Sequence, residues 1–436
     1  TLSVFHSTML YSYRTPLIFA GLLSTLVGPC HGLHIYSDPG RPSVRARGRT
    51  PARSVPNMKI RVAIVGLPNV GKSALFNALA QKSLAHSANF PFCTVEPNVA
   101  PLPVPDAHLR RLGAFAGSAR TVPATLMWVD VAGLVAGASR GEGLGNRFLA
   151  TCRECDAVCH LVRCFEDPDV VHVDGRVDAA ADAEVVELEL LLADLAHVER
   201  RLEKTTCGGL ERDTLEAVAE GLQLGAPART LGLSDAAAAA IKSMGLLTLK
   251  PVLYAFNVDE VDFTFGREEA LTRAREVLAS LQHYDPVRDQ CVLVSAKLEA
   301  EISARTASEQ REYLESLGVE PEPGRAPDSL LSHTVLPLAI MRLLDLSLAY
   351  TGPGVPAERS RTTRAHLVPS DGLTAAGLAA KLHGDIQKGF VRAEVASAAV
   401  LLQHPDYAAA KEAGCVRGEG KEYALRSDDV VLVKWK

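Results

Sequence analysis

Short runs of apolar residues, separated by helical patterns, recur through the first three quarters of the chain. The runs at residues 59–66, 157–162, 251–256 and 292–294 are as continuous as buried strands, and another apolar strand closes at residues 128–133. After the first run, Leu75, Phe76 and Leu79 mark an amphipathic helix. Strands that alternate with helices predict an α/β domain of the Rossmann-like type.

A longer helical pattern interrupts this alternation at residues 181–245. Leucines recur at spacings of three, four and seven over residues 181–204, and a second helical pattern follows a turn at 205–209. The pattern predicts an antiparallel helical hairpin inserted in the α/β domain, with its apolar positions at Leu188, Leu192, Leu195, Leu202, Leu215, Val218 and Leu222. Its basic residues form either a tip that contacts phosphates or, as is more common for such charges, a solvated helix face; they are Arg200, Arg201, Lys204 and Arg212.

The last part of the chain changes to short strands. Residues 321–329 break the pattern as a loop, a helix is expected around residues 336–348, and Gly352, Pro353 and Gly354 indicate a linker. Beyond residue 364 the sequence predicts short strands, one helix at 373–382 and a final strand within 430–436. The sequence predicts a leader at residues 1–57 and an α/β domain in two parts, at residues 58–180 and 246–350. The helical insertion between those parts covers residues 181–245, and a small C-terminal domain covers residues 351–436.

Charge is distributed unevenly over the 436 residues, whose formal net charge is −5. Residues 1–57 contain six arginines, no lysine and one acid, so their charge is +5 and the remainder of the chain carries −10. A body this acidic is not held on nucleic acid by its net charge. Any RNA contact must therefore be a local basic patch.

The leader has the composition of a targeting segment. An apolar run at residues 17–27 is shorter than the roughly 20 residues that span a bilayer, but it suits the core of a signal peptide. Residues 33–56 are rich in Arg, Ser and Pro and nearly free of acids, as organelle transit peptides are. The combination predicts a bipartite presequence for a plastid of secondary origin, with no membrane association of the mature form. The alternative is a disordered leader with no address and a cytoplasmic protein.

Four of the nine cysteines lie close together beside His160, namely Cys152, Cys155, Cys159 and Cys164. The first pair has the spacing of zinc ligands, but no second pair follows at the distance of a zinc finger. Cys159 and His160 also fall within a predicted buried strand, where cysteine serves as a small apolar residue. A structural role is therefore favoured over a metal site.

A phosphate-binding loop directly follows the first predicted strand. Residues 66–73 read GLPNVGKS, which is the GxxxxGK[ST] pattern between a strand and a helix. The glycines allow the backbone to wrap round phosphates, and the peptide N–H groups that point at them belong to Asn69, Val70, Gly71, Lys72, Ser73 and Ala74. Lys72 is expected to reach the β and γ oxygens, and Ser73 to ligate Mg²⁺.

Two further motifs belong to the phosphate end of such a site. Asp130 and Gly133 form a DxxG motif, in which the carboxylate holds magnesium through water and the glycine N–H senses the γ-phosphate. Thr94, in the loop between the two motifs, is the expected second protein ligand of Mg²⁺. The residue after DxxG is Leu134, where Ras-like GTPases have a glutamine that orients the attacking water. Hydrolysis must then use another group, a partner or a slow intrinsic route, unless the enzyme is inactive.

The base-binding motif departs from that of GTPases. Residues 257–260 read NVDE where GTPases have NKxD, so Glu260 replaces the aspartate that binds guanine and Val258 replaces the lysine. A carboxylate displaced by one methylene loses its paired hydrogen bonds to guanine, at a cost of roughly 1–3 kcal/mol. Asn257 keeps its place, and Ser295 begins the SAK motif that closes the base pocket. Guanine selectivity is therefore expected to be lost.

Together these motifs resemble the YchF / Obg-like ATPase family of translation-factor NTPases. The resemblance covers residues 60–436 and includes GLPNVGKS, NFPFCTVEPN, DVAGLVAGASRGEGLGNRF, VRCFED, KPVLYAFNVDE and HGDIQKGFVRAEV. It implies a P-loop NTPase domain of the α/β class, an inserted helical hairpin that forms a coiled-coil arm, and a C-terminal β-grasp domain of the TGS type. Two places depart from the family pattern: Ala74 stands where threonine is usual, and residues 361–367 are less similar.

The resemblance also implies a function. The family prefers ATP to GTP, hydrolyses it slowly with Mg²⁺ and associates with ribosomes. A histidine in a mobile loop can replace the missing glutamine, and the matching residue is His172, which is otherwise a solvated loop histidine. The main hypothesis is an ATPase switch with Lys72 and His172 as catalytic groups, monomeric and bound to the ribosome or its RNA. The alternatives are a nucleotide-gated ribosome- or RNA-binding module with incidental hydrolysis, and a GTPase.

Overall fold

The computed structural model describes residues 60–87, 98–131, 144–170, 175–204, 206–318, 331–355 and 362–436. Thr94, Gly133, Leu134 and His172 lie outside these ranges, as do the predicted leader and the whole of the predicted loop at 321–329. The roles predicted for those residues stay predictions.

Twelve strands form over the described residues. In chain order they are β1 (Arg61–Val65), β2 (Val99–Pro103), β3 (Arg120–Val122), β4 (Thr125–Asp130), β5 (Ala157–Arg163), β6 (Val252–Asn257), β7 (Gln290–Val294), β8 (Leu346–Thr351), β9 (Thr362–Pro369), β10 (Phe390–Ser397), β11 (Arg417–Glu419) and β12 (Asp429–Trp435).

Fifteen α-helices form over the same residues. They are α1 (Lys72–Ser87), α2 (Leu109–Phe115), α3 (Leu144–Arg153), α4 (Ala179–Leu202), α5 (Gly209–Gln223), α6 (Asp235–Ala240), α7 (Glu260–Thr264), α8 (Arg267–Ser280), α9 (Ala296–Ser303), α10 (Ala307–Ser316), α11 (Ser332–Leu343), α12 (Ala375–Leu382), α13 (Gly384–Lys388), α14 (Ala398–Leu401) and α15 (Tyr407–Glu412). In the part of the chain that the structure covers, no helix is long and apolar enough to cross a membrane.

The first sheet carries the candidate site. Its strand order is β2-β4-β1-β5-β6-β7, and all neighbours are parallel except β2 and β4. The strands β1, β5 and β6 are buried along almost their whole length, because helices cover both faces of a parallel sheet. The predicted α/β domain is confirmed, and its central strand β1 leads into the P-loop. In such sheets ligands bind where the carboxyl ends of the central strands diverge.

The predicted helical hairpin is also confirmed. Helix α4 begins at the N-cap Asp178, whose carboxylate accepts a hydrogen bond from the Ala181 N–H at 3.1 Å. Its first half packs on the first sheet through Ala183 and Val186, which belong to the main core. Its second half packs against α5 in a separate apolar cluster. One helix thus serves both the α/β domain and the inserted arm.

One helix face was predicted imperfectly. The buried positions of α4 within the arm are Leu191 and Val198, with Leu195 and Leu202 partly buried, whereas Leu188 is 53% exposed. In the second helix, Leu215, Val218 and Leu222 are buried as predicted. The stripe on α4 differs because this helix has to bury residues against two cores, so that its apolar face is wider than a single row of leucines.

The second sheet has the topology of a β-grasp fold. Its order is β11-β10-β12-β8-β9-β3, with β8 and β12 parallel and the pairs β8–β9, β10–β12 and β10–β11 antiparallel. Helix α12 packs on one face through Leu378 and Ala379. The other face contributes Leu348, Tyr350 and Val430 to the main core. The predicted β-grasp domain is confirmed.

The predicted start of this domain at residue 351 needs correction. Helix α11 ends at Leu343, and residues 346–351 form β8, which lies between β12 and β9 in the second sheet. The expected helix around residues 336–348 is therefore shorter. Gly352, Pro353 and Gly354 start the connection between the antiparallel neighbours β8 and β9, so they do not form a linker between domains. The physical reason is that β8 completes a sheet that would otherwise be divided.

The second sheet is further extended by a strand from the α/β half of the chain. The strand β3 pairs in parallel with β9, at Arg120–Thr362 and Val122–Arg364. Two hydrogen bonds support this junction: the hydroxyls of Ser118 and Thr363 are 2.8 Å apart, and the Tyr350 hydroxyl donates to Asp106 Oδ1 at 2.9 Å. The two halves of the chain are therefore joined by backbone pairing within the second sheet, and the two sheets share a core.

Candidate functional site

The P-loop takes the conformation that its glycines predict. Gly66 has φ 155° and Gly71 has φ 97°, values that side-chain-bearing residues rarely adopt. A Cβ on Gly66 would lie 2.4 Å from the Leu161 carbonyl oxygen, and one on Gly71 would lie 2.5 Å from Asn257 Nδ2. Asn69 is also left-handed, with φ 61°. The loop is thus fixed because its backbone packs closely against the backbone of β5 and against the Asn257 side chain.

Lys72 begins α1 and is almost completely buried. Its Nζ donates to the Leu67 carbonyl oxygen at 2.6 Å, which folds the side chain back over the loop. Burial lowers the pKa of Lys72 to about 8, and the nearby Asp130 carboxylate opposes that shift. The ammonium therefore lies in a site that a polyanion would stabilise.

Asp130 ends β4, beside the P-loop, because β4 pairs directly with β1. Burial raises the pKa of Asp130, while Lys72 and a hydrogen bond from Ser73 lower it. The Ser73 hydroxyl donates to Asp130 Oδ2 at 3.4 Å, and Oδ1 is buried without a partner among the described residues. The structure therefore brings together two of the three predicted magnesium ligands.

Asn257 ties the two loops of the site together. Its Nδ2 donates to the Val70 carbonyl oxygen at 2.9 Å, and its Oδ1 accepts from the Ala296 N–H at 2.9 Å. The side chain is 3% exposed and ends β6. Val258, the next residue, donates its N–H to the Val294 carbonyl oxygen at 2.9 Å. Asn257 thus holds the P-loop against the SAK loop, a geometric role that the sequence motif did not specify.

The residue in the guanine-reading position is placed at the start of α7. Asp259 caps this helix, because its carboxylate accepts a hydrogen bond from the Asp262 N–H at 2.8 Å. Glu260 follows; its Oε1 lies 3.9 Å from the Lys297 ammonium and is buried without a hydrogen bond from the described residues. Ser295 is buried and its hydroxyl has no described partner either. The base end of the site therefore carries unused acceptors.

A cleft of about 820 Å³ connects these groups. Of the residues predicted for the nucleotide site, it is lined by Asn69, Gly71, Lys72, Ser73, Ala74, Asn257, Val258 and Glu260. Val70, Asp130 and Ser295 do not line it; Val70 and Ser295 are buried beside it. The phosphate and base motifs, nearly 200 residues apart in sequence, thus face one volume.

One wall of the cleft was not predicted as part of the site. Phe165, Glu166, Asp167 and Val170 line it from the loop after β5. The signal was present, because VRCFED spans the end of β5 and the residues after it, and ligands bind at that edge of such a sheet. Further lining residues come from α7 and α9, namely Val261, Ala296, Lys297, Ala300 and Glu301.

Three of the four clustered cysteines lie in the core. Cys152, Cys155 and Cys159 are buried, and burial raises the pKa of the Cys155 thiol to about 11 and that of Cys159 to about 12. Thiols held in this state are poor metal ligands and poor nucleophiles. Over the described ranges, no group of three His, Cys, Asp or Glu side chains could hold a metal ion.

The fold and the site define a P-loop NTPase with an inserted helical arm and a β-grasp domain. Comparison with known proteins agrees: a family described as 50S ribosome-binding GTPase matches residues 61–195, and the YchF GTPase C-terminal family, described as a protein of unknown function, matches residues 360–436. The ribosome-binding ATPase YchF of Haemophilus influenzae is 42% identical over 384 residues, which cover 86% of this chain and 98% of that protein. The chain belongs to the YchF family.

Two further relatives support this assignment. The ribosome-binding ATPase YchF of Bacillus subtilis is 38% identical over 383 residues, covering 86% of this chain and 98% of the relative. The structure of the Schizosaccharomyces pombe YchF GTPase has a TM-score of 0.72 at 29% identity and covers 87% of this chain and 99% of that one. The names of these relatives differ on the nucleotide, so the residues of the base loop decide which one is proposed for this chain.

Proposed function

We propose that this chain binds Mg-ATP in the cleft and hydrolyses it slowly. The observation that carries the proposal is the continuity of the cleft, a single volume from Lys72 and Ser73 to Glu260 and Lys297. A nucleoside triphosphate has an anionic end and a flat aromatic end with polar edges. The cleft offers Lys72 at one end, and apolar Val258 and Val261 beside the carboxylate of Glu260 at the other. Relatives named ATPase, in Haemophilus influenzae and Bacillus subtilis, support the choice of reaction.

At the phosphate end, the ligand would be held by the P-loop N–H groups and by Lys72. The Nζ group now donates to Leu67, and the triphosphate oxygens would take over that hydrogen bond. Because Lys72 is buried, its interaction with an anion is stronger than it would be at a solvated surface. Lys72 is therefore proposed as the residue that stabilises the charge of the transferred phosphoryl group.

Ser73 and Asp130 fit a magnesium ion. Their oxygens are hard donors of the kind that Mg²⁺ prefers, and Asp130 has a buried oxygen without a described partner. Thr94, outside the described residues, completes the set of three residues proposed to hold the ion. When bound, the ion would neutralise charge on the β and γ phosphates.

At the base end, Glu260 supports adenine over guanine. The carboxylate of a GTPase aspartate accepts two hydrogen bonds from guanine, whereas the longer Glu260 lies at the N-terminus of α7 beside Lys297. Val258 cannot replace the missing lysine, since it is buried and apolar. Calorimetric titration of the purified protein with ATP and with GTP, each with Mg²⁺, tests the proposal. Tighter binding of GTP by orders of magnitude would contradict it.

Substitution at the same position sharpens the test. Glu260→Asp restores the GTPase carboxylate, so the ratio of ATP to GTP affinity should shift towards GTP by roughly tenfold. Glu260→Gln removes the charge at constant length and should leave GTP weak. If both variants bind ATP and GTP with the affinities of the wild type, Glu260 does not distinguish the two bases.

A second candidate function is a nucleotide-gated binding module in which hydrolysis is incidental. It is favoured by Leu134, which cannot orient water as glutamine does. Under the main proposal, His172 takes that role, and both Lys72→Ala and His172→Ala impair function in cells and ATP turnover. If His172→Ala abolishes turnover but leaves cellular function intact, nucleotide binding alone suffices and the second candidate is correct.

We further propose that the chain associates with ribosomes, in line with the names of its relatives, and that its C-terminal domain is a TGS module. Exposed cations there, Lys388, Arg392 and Lys421, are candidate RNA contacts. Sedimentation of the protein with ribosomes in ATP and in ADP tests the association. Equal absence from the ribosomal pellet in both states would refute it.

The plastid location is proposed on composition alone. A reporter fused to residues 9–57 should enter plastids if the leader is a bipartite presequence, whereas a diffuse cytoplasmic signal would contradict it. A monomer is proposed for the mature form, and size-exclusion chromatography with light scattering measures this directly.

A further inference from the structure

The wall of the cleft formed by residues 165–170 has no regular secondary structure of its own. Its internal backbone support in the structure is one turn, from the Val170 N–H to the Asp167 carbonyl oxygen at 3.2 Å. The Asp167 side chain adds a local contact with the Asp169 N–H at 2.9 Å. At the strand end, the Cys164 N–H donates to the Asn257 carbonyl oxygen at 2.8 Å. A segment with so little support needs another group to fix its shape.

That group is Arg163, the last residue of β5. Its Nε donates to the Phe165 carbonyl oxygen at 3.2 Å, and its Nη2 donates to the Val170 oxygen at 3.0 Å and the Asp167 oxygen at 3.4 Å. Its guanidinium carbon lies 4.5 Å from the centre of the Phe165 ring. The side chain reaches both ends of the loop, so the loop is folded around one cation.

The guanidinium is held in an unusual way for a buried charge. Arg163 is 2% exposed, and the contacts that the structure shows for it among the described residues are to carbonyl oxygens and a ring, with no carboxylate. Its Nη1 is buried without a described partner. Burying an arginine is costly unless its donors are satisfied, so this arrangement persists because the loop supplies several acceptors at once.

Arg163 also lies at the junction of the three walls. In the sheet it is paired with Asn257, whose side chain holds the P-loop at Val70 and the SAK loop at Ala296. The carboxyl ends of β5 and β6 thus position the P-loop, the SAK loop and the loop at residues 165–170. Displacement of the loop at residues 165–170 would open the cleft on one side and leave the P-loop intact.

We propose that Arg163 is a positioning residue that shapes the nucleotide cleft by holding the loop at residues 165–170. It acts through the loop and does not touch the nucleotide, and its role rests on the proposed binding of ATP in this cleft. Lysine cannot replace it. The lysine side chain ends in one nitrogen, which cannot reach the carbonyl oxygens at both ends of the loop as the several nitrogens of a guanidinium do.

The test compares Arg163→Lys with Arg153→Lys in the full chain. Arg153 is a matched control, since it ends α3, its side chain is 17% exposed, and it donates to Asp194 at 2.7 Å and to the Ala193 carbonyl oxygen at 3.2 Å. Both variants should lower the thermal midpoint. Only Arg163→Lys should weaken Mg-ATP, raising Kd and KM roughly tenfold with kcat changed less than about threefold.

Hydrogen exchange provides the readout that a general loss of stability would not give. In Arg163→Lys, the amides of residues 166, 167, 169 and 170 should exchange faster, while those of the P-loop keep the wild-type rate; Pro168 has no amide hydrogen. If Arg163→Lys does not fold, Arg163→Gln, which removes the buried charge, takes its place with the same expectation. An unchanged Kd, or equal weakening by Arg153→Lys, would overturn the role of Arg163. Failure of the wild type itself to bind ATP would instead overturn the proposed function.

Discussion

At the scale of single residues, Lys72 makes the site sensitive to pH. Burial holds its pKa at about 8, and a bound triphosphate would favour the charged form. The direction of the pH effect follows from the protonation of the free protein. Below about pH 8 Lys72 is already charged, so affinity does not change with pH, whereas above about pH 8 the protein must take up a proton when ATP binds. Affinity for Mg-ATP should therefore fall above about pH 8, by up to tenfold per pH unit.

Calorimetry at about pH 7, 8 and 9 in buffers of different ionisation enthalpy measures this loss and the accompanying proton uptake. Lys72→Arg is the control, because a guanidinium stays charged throughout this range. A wild type whose affinity stays level up to pH 9 would show that Lys72 keeps its charge without nucleotide.

Asn257 is the second residue with a measurable consequence. In Asn257→Ala, the Val70 carbonyl and the Ala296 N–H both lose buried hydrogen bonds, and the folded state should lose about 2–4 kcal/mol. Urea unfolding measures this change. Asn257→Asp keeps the acceptor for Ala296 but sets a carboxylate against the Val70 oxygen, so it should also destabilise. A loss below about 0.5 kcal/mol in both would contradict the bridging role.

The residues of the phosphate site were predictable because the sequence motif directly reflects the backbone geometry of the loop. Gly66 and Gly71 are needed where a Cβ would collide, so their spacing alone identified the loop. The bridging role of Asn257 and the cation beneath Phe165 were not predictable, since both depend on which loops meet at the sheet edge. A side chain can be assigned to a motif without its partners being known.

At the scale of elements, the inserted arm has fewer free cations than its sequence indicates. Arg201 is bound to Glu211 at 2.8 Å, and Arg212 to Glu216 at 2.9 Å and the Leu202 carbonyl oxygen at 3.2 Å. Arg200 and Lys204 are exposed near the turn. Of the two interpretations left open by the sequence, a basic tip therefore depends on these two residues, while the other two stabilise the hairpin.

Charge reversal at the tip separates the interpretations. If the arm contacts ribosomal RNA, Arg200→Glu with Lys204→Glu should weaken sedimentation with ribosomes and lower its salt dependence by about one unit for each lost cation. ATP hydrolysis in the absence of ribosomes should be unchanged. The matched control is Arg275→Glu with Arg311→Glu, which changes the same charge on exposed positions of the α/β domain. If both pairs of substitutions change sedimentation with ribosomes equally, Arg200 and Lys204 belong to a solvated helix face and do not contact RNA.

At the scale of the whole molecule, the two sheets share a core within one compact unit, where the sequence predicted separate domains. Hydrophobic alternation indicates that residues 346–351 and 120–122 can be strands, but it does not identify the strands they pair with. The pairing of β3 with β9 joins residues about 240 positions apart, and β8 follows α11 after only two residues. Local patterns carry no information on such distant contacts, so the fold classes were predictable and their boundary was not.

The boundary can be tested with fragments of the C-terminal domain. A fragment of residues 352–436 lacks β8, which separates β12 from β9, and it should be unfolded because the remaining strands cannot form one sheet. A fragment of residues 345–436 regains β8 and should show a dispersed NMR spectrum and a cooperative thermal transition. Its stability should still be lower than in the full chain, since it lacks β3 and the Asp106 partner of Tyr350. A well-folded 352–436 fragment would show that β8 belongs to the α/β domain, as the sequence first predicted.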